Sequence, residues 1–227
     1  MNKSRTEILI GKENLSRLAS KHITVVGVGG VGGYTATMLV RAGVEKMTII
    51  DFDVVSPTNA NRQIIANNKT IGKPKVEVLK DMLLDINEEA KISAVNEKIT
   101  AENVDRLIKE TDFVVDAIDS VPDKIALIIY CKKNKIKILS AMGAGNRYSL
   151  PKFEVTDIFK THDDGLARIL RKKLRGEGIK DLEVVSSNMP VQYKSKKGQV
   201  GSISYYPAMC GCMISGEIVN KILRGEL

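Results

Sequence analysis

The sequence is poor in the side chains that most often carry enzyme chemistry. It holds three cysteines, Cys131, Cys210 and Cys212, and two histidines, His22 and His162, among 227 residues. So odd and sparse a set of thiols gives no disulfide framework and cannot supply a four-thiolate zinc site. Cys210 and Cys212, in "AMCGCMISG", sit among small apolar residues and read as buried small hydrophobes. A nucleophilic or resolving thiol is the alternative. His22 begins a strand and His162 falls in a loop, which makes both poor candidates for acid–base work. Apolar runs are short as well. None approaches ~18 uninterrupted strongly apolar residues, which argues against a membrane span. "MNKSRTEILIG" lacks the apolar core, ~7–15 residues long, of a secretory signal. A soluble, cytoplasmic protein is expected.

What is present is an α/β pattern. Hydrophobic residues make up 43% of the chain, enough for one domain with a sizeable core over 1–227. Apolar strands at 22–33 (breaking into glycines), 46–51, 91–97, 112–119 and 136–145 alternate with helical patterns at 34–43, 74–87, 101–109 and 124–135. Pro74 stands at a plausible first helical position. Strands and helices alternating over short joins imply a doubly wound, Rossmann-like, mostly parallel sheet with helices on both faces. Residues 1–150 read as the nucleotide-binding core and 151–227 as a C-terminal elaboration facing the substrate. In the latter, "FEVTDI" and "GSISYYP" look like strands, "DDGLARILRKKLRGEG" is a basic helix, and "AMCGCMISGEIVNKIL" closes the chain as a helix.

Gly27, Gly29 and Gly32 form G-x-G-x-x-G between the first strand and the first core helix, with Gly30 inside the same turn. Such a turn brings backbone N–H groups and the positive end of a helix dipole to an anion. Asp51 ends the next strand, where a carboxylate would accept hydrogen bonds from ribose hydroxyls; Asp53 nearly duplicates it. An NAD-binding unit remains open at this point. The following residues point elsewhere. "SPTNANRQ" supplies Asn59, Arg62 and Gln63, "IGKPK" supplies Lys75, and "VVDAIDS" ends on Asp119 and Ser120. Splitting ATP between its α- and β-phosphates needs cations on the outer phosphates and an acid to hold Mg²⁺. Singly, Arg62 and Lys75 could be solvated cations and Asp119 a helix cap; their common placement at strand ends marks a triphosphate site.

The run "VVGVGGVGG…IIDFDVVSPTNANRQ…IGKPKVEVLK…VVDAIDS" resembles the adenylating enzymes related to ubiquitin activators and bacterial sulfur-carrier activators. The resemblance implies ATP and Mg²⁺ at Gly29, Asp51, Asn59, Arg62, Lys75 and Asp119, with Asp119 as the metal ligand. "SRTEILIG" is similar to a segment that, in dimers of this superfamily, sends an arginine into the partner's site. Arg5 is the matching position, which implies a homodimer, and an ordinary surface arginine is the alternative. "VVDAIDSVPDKIALIIYCKKNKI", "SAMGAGN" and "FEVTDIFKTHDDGLARILRKKLR" are similar to the branch of dehydratases acting on N6-threonylcarbamoyladenosine in tRNA. That branch implies adenylation of the threonyl carboxylate and ring closure that expels AMP. Adenylation of the C-terminal glycine of a ubiquitin-like or sulfur-carrier protein is the alternative, and a sulfur-transfer partner is possible. Against the alternative, no C-x-x-C pair occurs. A non-enzymatic nucleotide sensor is a third reading.

Charge fits an RNA partner. Thirty-five basic residues against 27 acidic ones give a net charge of +8. Arg168, Arg171, Lys172 and Arg175 recur on one helical face, with Leu166, Ile169, Leu170 and Leu174 on the other. Lys194, Lys196 and Lys197 follow in a polar loop. These seven are the candidate tRNA contacts, against the reading of an ordinary solvated face.

Overall fold

A computed structural model describes residues 1–193 and 199–227. Lys194, Lys196 and Lys197 therefore lie outside the described residues. The strands are β1 (His22–Val26), β2 (Lys46–Ile50), β3 (Lys91–Val95), β4 (Phe113–Asp116), β5 (Ile138–Ala141), β6 (Phe153–Asp157) and β7 (Glu183–Ser187). The helices are α1 (Ser4–Ile10), α2 (Lys12–Ser20), α3 (Gly32–Ala42), α4 (Lys75–Ile86), α5 (Val104–Leu107), α6 (Val121–Lys133), α7 (Gly165–Gly176) and α8 (Tyr205–Leu223). All strands join one sheet in the order β3-β2-β1-β4-β5-β7-β6. Every pairing is parallel except that of β6 with β7.

The alternation of side chains along each strand explains the two helical layers. Ile23 and Val25 of β1 and Val115 of β4 point to a core built with α3, α4 and α8. Val26 of β1 and Val114 of β4 point the other way, to a core built with α5, α6 and α7. Strands buried on both faces cannot alternate apolar with polar residues, so "HITVV" and "FVVD" read as continuous apolar runs. Among the described residues, no helix is long and apolar enough to cross a membrane.

The expected α/β architecture holds, with four local differences. "GSISYYP" is not a strand: Tyr205 to Pro207 open α8, where the missing N–H of Pro207 falls in a first turn that needs no intrahelical donor. A strand that the sequence reading left unassigned, β7 at Glu183–Ser187, inserts between β5 and β6. Of the helix expected at 101–109, only Val104–Leu107 forms. The Asn103 side chain accepts from the Thr100 amide (2.7 Å) and donates to the Lys98 carbonyl (2.9 Å), which holds the preceding residues in a turn. Pro74 precedes α4 with extended ψ (131°), so the helix begins at Lys75.

Candidate active site

The order of strands reverses between β1 and β4, and a ligand crevice is expected there, beyond the carboxyl ends. In register, Val26 of β1 pairs with Ile50 of β2 on one side and with Asp116 of β4 on the other. Past these three positions the chain opens a cavity of about 700 Å³. Its walls include Gly27, Gly29 and Gly30, then Asp51 and Asp53, then Arg62, Gln63 and Lys75, and finally Asp119 and Ser120.

Two glycines shape the entrance. Gly27 has φ +84°, and a Cβ on it would lie 2.7 Å from the Ala117 carbonyl oxygen. A Cβ on Gly32 would lie 1.8 Å from the Gly27 carbonyl oxygen, so α3 can start this close to β1 only without a side chain. Gly29 differs: a Cβ there would meet nothing closer than Gln63 Nε2 at 3.6 Å, and the position faces the cavity. Gly32→Ala is therefore expected to cost ~3 kcal/mol or more and to lower the melting temperature on the order of 10 °C. Gly29→Ala should fold normally and bind nucleotide more weakly. Thermal melts with and without ATP check both, and equal stability for the two variants would contradict this geometry.

Asp51 is held by two backbone amides: Oδ2 accepts from Val28 N–H (2.8 Å) and Oδ1 from Asp53 N–H (2.9 Å). It thus ties the glycine turn to β2 and keeps lone pairs for further donors. Lys75 is buried at the start of α4, and its Nζ meets Asp53 Oδ2 at 2.7 Å. The Arg62 guanidinium donates to the Thr58 carbonyl (2.8 Å) and to Asn61 Oδ1 (3.0 Å). Gln63 is buried and its Oε1 has no hydrogen-bond partner among the described residues, leaving an acceptor for a ligand. The exposed Asp119 carboxylate likewise has no partner among them. Carboxylates on the cavity wall number five (Asp51, Asp53, Glu97, Asp119, Asp123) against three cations (Arg62, Lys75, Lys98). Three of these carboxylates are already paired, Asp53 with Lys75, Glu97 with Arg106 and Asp123 with Lys98, which leaves Asp51 and Asp119; one such carboxylate together with phosphate oxygens is a set that fits Mg²⁺.

Asn59 is not on this wall. Its Oδ1 accepts the Ser56 amide (3.0 Å) and its carbonyl accepts the Arg62 and Gln63 amides (3.0 and 2.9 Å). The side chain expected to touch the nucleotide instead builds the turn that presents Arg62 and Gln63. Sequence reasoning also missed a buried ion pair beneath the site. Lys124 and Asp116 are both fully buried, with Nζ to Oδ1 at 2.9 Å, and Nζ also donates to the Ile118 carbonyl at 3.0 Å. The pair braces the segment 117–120 that carries Asp119. "DxxxxxxxK" across a strand–helix junction was its only trace, and a lysine seven to eight residues into a motif ordinarily reads as a solvated one.

Comparison with known proteins places the chain in a family. The sequence profile of the ThiF family matches residues 3–226. The chain belongs to the ThiF family. Among its curated relatives, tRNA threonylcarbamoyladenosine dehydratase of Bacillus subtilis (strain 168) is 35% identical over 97% of this chain and 94% of that protein. The enzyme of the same name from Escherichia coli (strain K12) is 40% identical over 86% of this chain and 69% of that protein. Molybdopterin-synthase adenylyltransferase of Escherichia coli (strain K12) is 36% identical over 54% of this chain and 49% of that protein. Among solved structures, Escherichia coli tRNA N6-threonylcarbamoyladenosine dehydratase in complex with AMP superposes with a TM-score of 0.93 at 34% identity, over 98% of this chain and 94% of that one. The same enzyme in complex with ATP gives 0.92.

Other candidates of this ThiF-family chain lie apart from the cavity. Arg5 is on the exposed helix α1, beside Ile8 and Leu9, each more than four-fifths exposed. On α7, Arg168 and Lys172 face solvent. Arg171 is committed within the fold, donating to the Thr161 carbonyl (2.9 Å) and hydroxyl, and the Arg175 guanidinium lies 5.1 Å from the Phe159 ring centroid. Ile169, expected on the apolar face, is 45% exposed, and Ala167 packs with Leu170 and Leu174 in its place. Cys131 and Cys210 are buried, which pushes each thiol up to about 12, and Cys210 is wholly enclosed. Cys212 is exposed rather than buried, and partial burial still raises its thiol above the usual range. A thiolate nucleophile at neutral pH has no support in these surroundings.

Proposed function

We propose that this chain is an ATP-dependent dehydratase of N6-threonylcarbamoyladenosine in tRNA. The reading is carried by one observation: similarity to dehydratases of that name runs through nearly the whole chain, and Gly29, Asp51, Arg62, Lys75 and Asp119, though not Asn59, line one cavity. Similarity to molybdopterin-synthase adenylyltransferase covers only about half.

In the reaction, an oxygen of the threonyl carboxylate attacks the α-phosphorus of ATP, and the bond to pyrophosphate breaks. The carbamoyl group of the same nucleoside then attacks the acyl adenylate. AMP leaves with the carboxylate oxygen, so the nucleoside loses one water. Because nucleophile and electrophile sit on one molecule, effective molarity can reach on the order of 10⁵ M or more when well oriented. No enzyme nucleophile is needed, in keeping with the raised thiols. Gly29 and Gly30 would face the phosphates, Asp51 the ribose, and Arg62 and Lys75 the departing pyrophosphate charge. Asp119 would hold Mg²⁺, which supplies Lewis-acid stabilisation to the phosphates. Ser120 and Asp53 complete the wall, Asp53 keeping Lys75 in place.

The finer parts of the reading follow. The segment after residue 150 would face the tRNA, with Arg168 and Lys172 on phosphates. A homodimer would bring Arg5 to a partner's site; the exposed Ile8 and Leu9 of its helix suit burial against a second copy. A sulfur-transfer protein partner and a cytoplasmic location complete this view. The test is nucleoside mass analysis of tRNA treated with the chain and ATP. Threonylcarbamoyladenosine should lose the mass of one water, with pyrophosphate released. Pyrophosphate release with a small carrier protein ending in glycine, and none with the modified tRNA, would replace this reading by carrier activation.

A further inference from the structure

Beside the cavity lies a surface that the nucleotide chemistry does not use. Tyr148, Tyr193 and Val200 are 61%, 63% and 72% exposed, and Leu150 and Tyr205 are exposed with them. An apolar, aromatic patch left open to water usually marks a binding surface. This one is also tied together by hydrogen bonds. The Asn146 carbonyl accepts the Gln192 and Tyr193 amides (3.0 and 3.2 Å), and Gln192 Oε1 accepts the Tyr148 and Ser149 amides (2.8 and 2.7 Å). The Tyr205 hydroxyl donates to the Tyr148 carbonyl. At its root the buried Arg147 guanidinium donates to the carbonyls of Met189, Gly143 and Asp163, all within 2.9 Å.

Two further observations select the occupant. The patch is continuous with the cavity, because Gly145, Val200 and Ser202 line both. Asn61, next to Arg62, donates to the Ser202 carbonyl at 3.0 Å and fastens the patch to the cation-bearing turn. Its own segments also lack acids: residues 141–152, 188–193 and 199–206 contain no aspartate or glutamate, whereas the cavity wall carries five carboxylates. Aromatic rings carried on segments without acids, beside a nucleoside-sized cavity, suit unstacked bases on a phosphate backbone.

We propose that the Tyr148–Tyr193–Tyr205 surface is a stacking platform for single-stranded bases flanking the modified nucleoside. This rests on the tRNA reading above. The platform holds the loop by ring faces while the threonyl carboxylate enters the cavity. Its selectivity is for an open loop over a duplex, whose bases present no free faces.

The test uses a stem–loop RNA carrying N6-threonylcarbamoyladenosine in its loop, with a blunt duplex of the same stem as control. Tyr148→Ala and Tyr193→Ala should each weaken stem–loop binding about tenfold, with ATP affinity unchanged. Tyr148→Phe should bind within about twofold of the parent chain, because stacking needs the ring and not the hydroxyl. Plots of log affinity against log salt should stay parallel for the alanine variants, since no phosphate contact is lost. Duplex binding should be weak and the same for all. Unchanged stem–loop affinity in both alanine variants overturns the platform, as does an equal loss in Tyr148→Phe and Tyr148→Ala. A change of oligomeric mass without a change in RNA affinity also overturns it, assigning the patch to a second copy. If the parent chain turns the stem–loop over while the variants bind it normally, only the platform fails. If the parent chain ignores the stem–loop and activates a carrier protein, the tRNA reading fails with it.

Discussion

Asp119→Ala is expected to lower pyrophosphate release by on the order of a hundredfold to a thousandfold, the usual consequence of removing one preorganised electrostatic contact. Its melting temperature should stay within about 2 °C of the parent chain. The two halves of this expectation have different origins. Asp119 is exposed at the end of the β4 segment and makes no hydrogen bond or ion pair among the described residues, so the fold loses nothing by its removal. The wall of the cavity, however, loses the carboxylate that we propose holds Mg²⁺ with the phosphates. Raising Mg²⁺ should restore part of the lost rate and leave ATP protection against heat largely intact. Full activity in the variant would remove the metal role from Asp119.

Lys124→Met is expected to act in the opposite order, on stability first. The substitution leaves the Asp116 carboxylate fully buried without its ammonium partner. Breaking such a pair from one side typically costs about 3–5 kcal/mol, which for a chain of this size lowers the melting temperature on the order of 10 °C. Asp116 Oδ2 already lacks a partner among the described residues, so little else is at hand to take up the charge. The double variant Asp116→Leu with Lys124→Met removes both charges and should regain most of that stability, because apolar pairs often replace buried ion pairs at no net cost. It should not regain the rate. Lys124 also holds the Ile118 carbonyl, and without that bond the segment carrying Asp119 loses a brace that the proposed metal role would need. We expect the double variant to show a reduced kcat with little change in the KM for ATP. Recovery of both stability and kcat would make the pair a fold element alone.

These two residues also show what can be read along a chain. Asp119 stood at the end of an apolar strand, in a motif whose neighbours were legible one by one: a glycine turn, an acid after the second strand, a cation in "NRQ" and another in "KPK". Each was local, and each reached the cavity except Asn59, whose side chain was claimed by its own turn. Lys124 was not legible. A lysine near the start of a helix is ordinarily solvated, and only the packing of α6 under β4 removes it from water. The same limit applies to α7. Helical spacing gathers four basic residues on one side, yet Arg171 and Arg175 are engaged by Thr161 and Phe159, partners that arrive only when the short turn before α7 folds against it.

The platform beside the cavity is the extreme case. Tyr148, Tyr193 and Tyr205 come from three separate segments, and nothing in their spacing relates them. By itself, the sequence determined the alternation of strands and helices, the anion-binding turn and the residues offered to a nucleotide, because those depend on periodicity and on steric demands within a few residues. The tertiary structure alone decided which polar groups are spent on the fold and which are left for a ligand. That choice depends on partners distant in the chain, and on the requirement that every group taken out of water find one.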